Sequence, residues 1–179
     1  MIKNVNKIAI IGGSGTGKTT LSKNLSKKLN LPVYHIDGIH HLENWQIRDK
    51  DERDKMILEI VNQSKWIIDG TYHTTLKERV ENADLIIYLD YSSIAQAKGA
   101  LGRWIKNHGK EKEEIPGCRE RMSFEFLMWV WNWRKNKRED IIKNITKIDQ
   151  NKVLVFKNRR KLNKWYQNEF NEKIKVEGK

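Results

Sequence analysis

The chain has 179 residues, enough to bury a sizeable core within one domain. Its single cysteine, Cys118, excludes an internal disulfide and fits a reducing cytoplasm, and with only scattered histidines beside it argues against a structural zinc site. No apolar run is long enough to cross a bilayer, and the N-terminus lacks the apolar core of an export signal. The net charge of +12 is lopsided: residues 1–97 carry 13 basic and 12 acidic side chains, residues 98–179 carry 22 and 11. Such a surface attracts polyanions, whether nucleotides, nucleic acid or acidic substrates, although a solvated lysine-rich face is the plainer explanation.

In chain order, Ile8–Ile11 is apolar without alternation, the mark of a parallel strand buried on both faces. A glycine-rich turn follows, and then a helix over Thr20–Leu29 with leucines at 21, 25 and 29, stopped by Pro32. Val33–Ile36 reads as a second strand ending at Asp37-Gly38, and residues 39–48 read as irregular. Asp49–Gln63 is an amphipathic helix. Trp66–Asp69 is a third strand ending in Asp69-Gly70, Thr75–Asn82 a short helix carrying Arg79, and Leu85–Leu89 a fourth strand ending at Asp90. Ile94–Asn107 is helical and carries Arg103. Residues 109–122, with Pro116-Gly117, Arg119 and Arg121, form a loop or small lid. An aromatic-rich helix starts at Phe124, reaches Lys137 and continues to about Ile148. Val153–Phe156 is a fifth strand and Arg160–Phe170 a last helix before a polar tail. Strands alternating with helices at this spacing imply a parallel sheet covered on both faces.

The turn carries the strongest chemical signal. Gly12-Gly13-Ser14-Gly15-Thr16-Gly17-Lys18-Thr19 matches the phosphate-binding P-loop pattern, with a strand before it and a helix, entered through Thr20, after it. Glycines let successive N–H groups turn inward toward a phosphate oxygen, and the helix start adds unpaired N–H groups and a positive dipole end. Lys18 is a point charge for the β- and γ-phosphates. The Thr19 hydroxyl suits the Mg²⁺ that accompanies a nucleoside triphosphate.

The P-loop, Asp37-Gly38, the run Trp66 to Tyr72, the run Ala83 to Asp90, Gly117-Cys118-Arg119-Glu120 and the Phe126 to Trp131 stretch occur together. In this combination the chain resembles the DNA topology modulation proteins (FlaR-related), relatives of the adenylate and shikimate kinases, to about residue 166. The resemblance implies a three-layer α/β/α P-loop NTPase fold, nucleotide-kinase-like, with a five-stranded parallel sheet in the order 2-3-1-4-5 and a small lid. It also implies ATP as phosphoryl donor and an arginine-bearing lid. Relatives carry a proline and an arginine soon after the fourth strand; here that stretch is Tyr91 to Lys98, so Lys98 or Arg103 would stand in for the arginine.

Phosphoryl transfer needs positioning and charge neutralisation above all. Three acids end strands. In the implied order, Asp69 stands beside the P-loop and is favoured, with Thr19, for Mg²⁺, while Asp90 flanks it on the other side. Asp37 is the candidate to orient or deprotonate an acceptor hydroxyl. Arg103, Arg119 and Arg121 are expected on the transferring phosphate and Arg79 on the acceptor, because a guanidinium binds phosphate bidentately. The helix bearing Phe126, Trp129, Val130 and Trp133 is expected to be buried on two sides; a stacking surface for bases or a dimer contact are the alternatives. Two functions follow. The favoured one is an ATP- and Mg²⁺-dependent phosphotransferase acting on a small acceptor. The other is an ATP-dependent, nucleic-acid-associated regulator that uses the basic cluster Arg134, Lys135, Lys137 and Arg138.

Overall fold

The computed structural model describes Ile2 and residues 4–176. The elements follow in chain order. β1 (Lys7–Gly12) leads through the P-loop into α1 (Lys18–Leu29), then β2 (Val33–His35), the five-residue α2 (Ile36–His40) and a 3-10 turn at Glu43–Trp45. Next come α3 (Lys50–Val61), β3 (Trp66–Asp69), α4 (Leu76–Asn82), β4 (Leu85–Leu89) and α5 (Ser93–Asn107). The remainder is β5 (Glu111–Lys112), β6 (Ile115–Arg119), α6 (Phe124–Ile145), β7 (Val153–Phe156) and α7 (Arg159–Phe170).

α3, α5, α6 and α7 start behind side-chain caps. Asp49 accepts from the N–H groups of Asp51 and Glu52 at 2.9 and 3.1 Å, Ser123 from Phe126 at 3.1 Å, and Asn158 from Lys161 at 2.9 Å. α1 has no such cap. It begins behind Gly17, in the left-handed region at φ 88°, so its first N–H groups face the loop.

Five strands form one parallel sheet in the order β2-β3-β1-β4-β7, the arrangement the resemblance implies, with β7 as the fifth strand. Alternate residues of each strand point to opposite faces. Ile8 and Ile10 pack with Leu21 and Leu25 of α1 and Leu162 and Tyr166 of α7. Ala9 and Ile11 pack with Ile57, Val80, Trp133 and Ile141 from α3, α4 and α6. Both faces are therefore sealed, at about 1.5–3 kcal/mol for each fully buried large aliphatic side chain. This is a three-layer α/β/α architecture. Among the described residues no helix is long and apolar enough to cross a membrane.

Residues 109–122 form a hairpin, β5 against β6, and it does not stand free. Its buried Cys118 accepts from the Trp45 N–H at 3.1 Å and donates to the Leu42 carbonyl at 3.3 Å. The Glu114 carbonyl lies so close to Gly38 that a Cβ there would sit 2.2 Å from it. The hairpin is thus docked on the segment after β2.

Candidate active site

Register places the chemistry. In the parallel pairing, Asp69 is opposite Ile10 on one side and His35 on the other. The residue is buried, and its carboxylate therefore stands at the carboxyl edge of the sheet beside the P-loop. Asp69 Oδ2 accepts a short hydrogen bond from Ser22 Oγ and lies 2.8 Å from His35 Nδ1. Burial works against a charged His35 ring, but the bond and charge of Asp69, helped by Glu114, raise its pKa above the ordinary value.

The P-loop is braced from several directions. Thr16 Oγ1 and Lys18 Nζ each donate to the Gly13 carbonyl at 2.9 Å. The Thr71 hydroxyl accepts from the Gly12 N–H and donates to the Gly12 carbonyl, both at 2.9 Å. Burial holds the Lys18 ammonium below its usual pKa, against the opposing pull of Asp37 and Asp69. α5 presses on the loop's tip: a Cβ on Gly99 would fall 2.0 Å from the Gly15 carbonyl oxygen. Trp133 and the buried Gln96 lie against Gly13. Gln96 Nε2 donates to the Tyr91 carbonyl at 2.9 Å, and Oε1 has no hydrogen-bond partner among the described residues.

A cleft of about 1090 Å³ opens over the loop. It is lined by Gly12, Ser14, Gly15, Gly17, Lys18, Thr19 and Thr20 of the P-loop, and by Asp37, Asp69, Arg103 and Arg121. Most of the residues singled out in the sequence therefore meet in one place. Gly13 and Thr16 are buried beneath them. Asp37 is the second residue of α2, directly after β2, and is exposed to the cleft. Arg103 pairs with Glu120 at 3.1 Å, and Lys112 pairs with the same carboxylate at 3.4 Å. The Arg121 guanidinium lies 4.8 Å from the centre of the Trp45 ring. Lys23 of α1 bridges to Glu113 and Glu114 of the hairpin at 2.5 and 3.1 Å.

Three expectations need correction, and Asp90, the acid not favoured for the metal, is structural. Arg79 is fully buried and away from the cleft: it donates to the carbonyls of Gly70, Tyr72 and Thr75, at 2.8, 2.5 and 3.2 Å. Burial pushes its guanidinium down to about 10, which still leaves it charged at neutral pH. Arg119 is exposed on β6 and does not line the cleft. Asp90 does not face the cleft either; it is 2% exposed and held by Arg134 at 3.1 Å, Arg138 at 3.0 Å and a short contact from Lys157. Two members of the basic cluster are therefore occupied in tying α6 to the end of β4. Finally, α6 is not buried on two sides. Val130 and Trp133 are buried, but Phe124, Met128, Trp129 and Trp131 are exposed, and Phe126 and Trp129 line the cleft.

The P-loop geometry fits a nucleoside triphosphate. Gly15 and Gly17 take left-handed backbone, the start of α1 offers unpaired N–H groups, and Lys18 reaches across the loop. Among the described residues no group of three His, Cys, Asp or Glu side chains can hold a metal ion by itself. Thr19 and Asp69 fit a Mg²⁺ whose other ligands are phosphate oxygens and water.

Sequence reasoning missed His35, Ser22, Thr71, Gln96 and Gly99. Only the hydroxyl of Ser22, three residues after Thr19, carried a local signal.

No protein-family model matches the chain, and no curated protein matches it. Solved structures do. The shikimate kinase from Acinetobacter baumannii, in complex with shikimate, is similar over 97% of this chain and 98% of its own, with TM-score 0.59 and 16% identity. The shikimate kinase from Bacteroides thetaiotaomicron covers 94% and 99%, with TM-score 0.51 and 16% identity. A gluconokinase from Sinorhizobium meliloti 1021 covers 86% and 83%, with TM-score 0.50 and 13% identity. At these identities the likeness shows the fold, that of the P-loop kinases.

Proposed function

We propose that this protein is a Mg²⁺- and ATP-dependent phosphotransferase acting on the hydroxyl of a small acceptor. In this reading residues 1–179 are one kinase-like domain and the 109–122 hairpin is its insertion. The observation that carries it is the meeting of Lys18, Asp37 and Asp69 in one cleft at the carboxyl ends of adjacent parallel strands. The fold shared with shikimate and gluconate kinases supports it.

Bound Mg·ATP supplies the transferable phosphoryl group. The N–H groups of residues 13–20 would cradle its phosphate oxygens, the Gly12 N–H being held by Thr71, and Lys18 would neutralise their charge. Thr19 and Asp69 would hold the metal, with Ser22 and His35 fixing the Asp69 carboxylate. Asp37 orients the acceptor hydroxyl and takes its proton as the new O–P bond forms and the bond to the β-phosphate oxygen breaks. Arg103 and Arg121 face the same space and suit the charge on the transferring group.

The test is calorimetry of Mg·ATP with the wild type and Lys18→Ala, followed by ADP release across hydroxylated metabolites and nucleosides. Binding by the wild type that is lost in Lys18→Ala is expected. Asp37→Asn should keep that binding while transfer falls by about 10²-fold or more. Absence of Mg·ATP binding by the folded wild type ends the proposal. The nucleic-acid regulator is less supported, because Arg134 and Arg138 are engaged with Asp90 rather than arrayed outward.

A further inference from the structure

We infer that the acceptor is a nucleoside: a planar, uncharged base seated on Trp129, Phe126 and Trp45, with its sugar hydroxyl presented to Asp37. This rests on the phosphotransferase reading and narrows its acceptor.

Two separate observations lead there. The first is an aromatic wall without a core to justify it. Phe126 and Trp129 lie on one face of α6, their rings 5.8 Å apart and tilted by 22°, and Trp129 is 51% exposed. An indole is among the largest apolar surfaces a chain can bury, so leaving it half in solvent forfeits much of its contribution to stability. Both rings line the cleft that holds Lys18, Asp37 and Asp69.

The second is Trp45, which lines the same cleft after β2. Its backbone is in the left-handed region at φ 63°, next to Asn44 at φ 57°. For a bulky side chain this conformation is strained, and it persists only where the surroundings enforce it. Here Cys118 holds the Trp45 N–H, His41 meets the ring edge-on at 5.2 Å and Arg121 covers it at 4.8 Å. The hairpin thus fixes an indole in the cleft that Asp37 also lines, on the segment that follows Asp37.

The experiment measures equilibrium binding of adenosine, guanosine, cytidine and thymidine, and of shikimate and gluconate as acidic polyols. It uses calorimetry on the full chain in saturating Mg·ADP. The proteins are wild type, Trp129→Leu, Trp129→Phe and Trp131→Leu. Trp131 is exposed on the same helix but does not line the cleft. Expected is binding of at least one nucleoside, weakened about tenfold or more in Trp129→Leu. Trp129→Phe should recover part of that loss and Trp131→Leu should match the wild type. Mg·ATP affinity, measured separately, should be equal in all four. The inference is overturned if no nucleoside binds, if only the acidic polyols bind, or if Trp129→Leu weakens Mg·ATP rather than the nucleoside. Each of those results leaves wild-type Mg·ATP binding, and so the phosphotransferase reading, to stand or fall by itself.

Discussion

Replacing Gly99 by alanine isolates the contact on which the P-loop's shape depends. Alanine is the better helix former, by about 1 kcal/mol, so α5 taken alone gains from the change. The structure opposes it. The new Cβ would lie 2.0 Å from the Gly15 carbonyl oxygen, 2.9 Å from its carbonyl carbon and 3.2 Å from its Cα, where ordinary contact begins at 3.4 Å. All three are main-chain atoms, and Gly15 itself sits at φ 75°, so neither side yields by a simple rotamer change. Overpacking of this kind costs about 1–3 kcal/mol or more, outweighing the propensity gain. Gly102 provides the matched control. It lies one turn further along α5, is exposed, and a Cβ there meets nothing within 4 Å. Gly102→Ala should therefore raise the melting temperature by about 2–4 °C, the shift about 1 kcal/mol produces in a chain of this size. Gly99→Ala should lower it by a similar amount and weaken Mg·ATP about tenfold or more, because the loop tip must move by over an ångström. Thermal melts and calorimetry on both variants read this out. A Gly99→Ala protein that melts at or above the wild type and binds Mg·ATP unchanged would refute the packing of α5 on the loop.

The ion cluster at Asp90 and the buried Arg79 each carry a measurable consequence. Asp90→Asn strips the carboxylate from Arg134, Arg138 and Lys157, and a loss of about 1–3 kcal/mol is expected, since those cations are partly solvated. The pH dependence has a definite sign. Burial opposes ionisation of Asp90, but Lys157, Arg138 and Arg134 hold its pKa below the ordinary carboxylate value. Its stabilisation is therefore complete above the unfolded value, about 4, and lost as pH falls through the folded one. Acid melts of Asp90→Asn should show a shallower loss than the wild type; parallel curves would exclude the cage as a source of stability. Arg79→Met leaves the carbonyls of Gly70 and Tyr72 without these donors and should cost about 3 kcal/mol, seen as a lower denaturation midpoint. The affinity of the folded variant for Mg·ATP and acceptor should not change. A drop in acceptor affinity at unaltered stability would return Arg79 to the role its sequence position implied.

The P-loop was readable from residues 12–19 because its chemistry lies in contiguous chain. Glycines, a lysine and a hydroxyl need only a strand before them and a helix after. The strands were readable because a strand buried on both faces must be apolar throughout, as Ile8–Ile11 and Leu85–Leu89 are. Asp37 and Asp69 were found by position, since strand ends in a parallel sheet collect ligands.

What the linear order left hidden depends on segments that meet only after folding. His35 reaches Asp69 because the register of β2 on β3 makes them partners across 34 positions of chain. Arg79 looked like an anion clamp, yet the turn of chain after β3 folds back so that its carbonyls surround the guanidinium. Arg134 and Arg138 read as an open basic patch until α6 packed them over Asp90, more than 40 residues earlier in the chain. Trp129 read as core because aromatic residues usually are. Only the packing of α6 shows which of its faces is covered. Sequence therefore determined the elements and the phosphate loop, which are local. Tertiary structure decided which charges are neutralised and which rings stay open, because burial and pairing belong to the packed arrangement and to no residue alone.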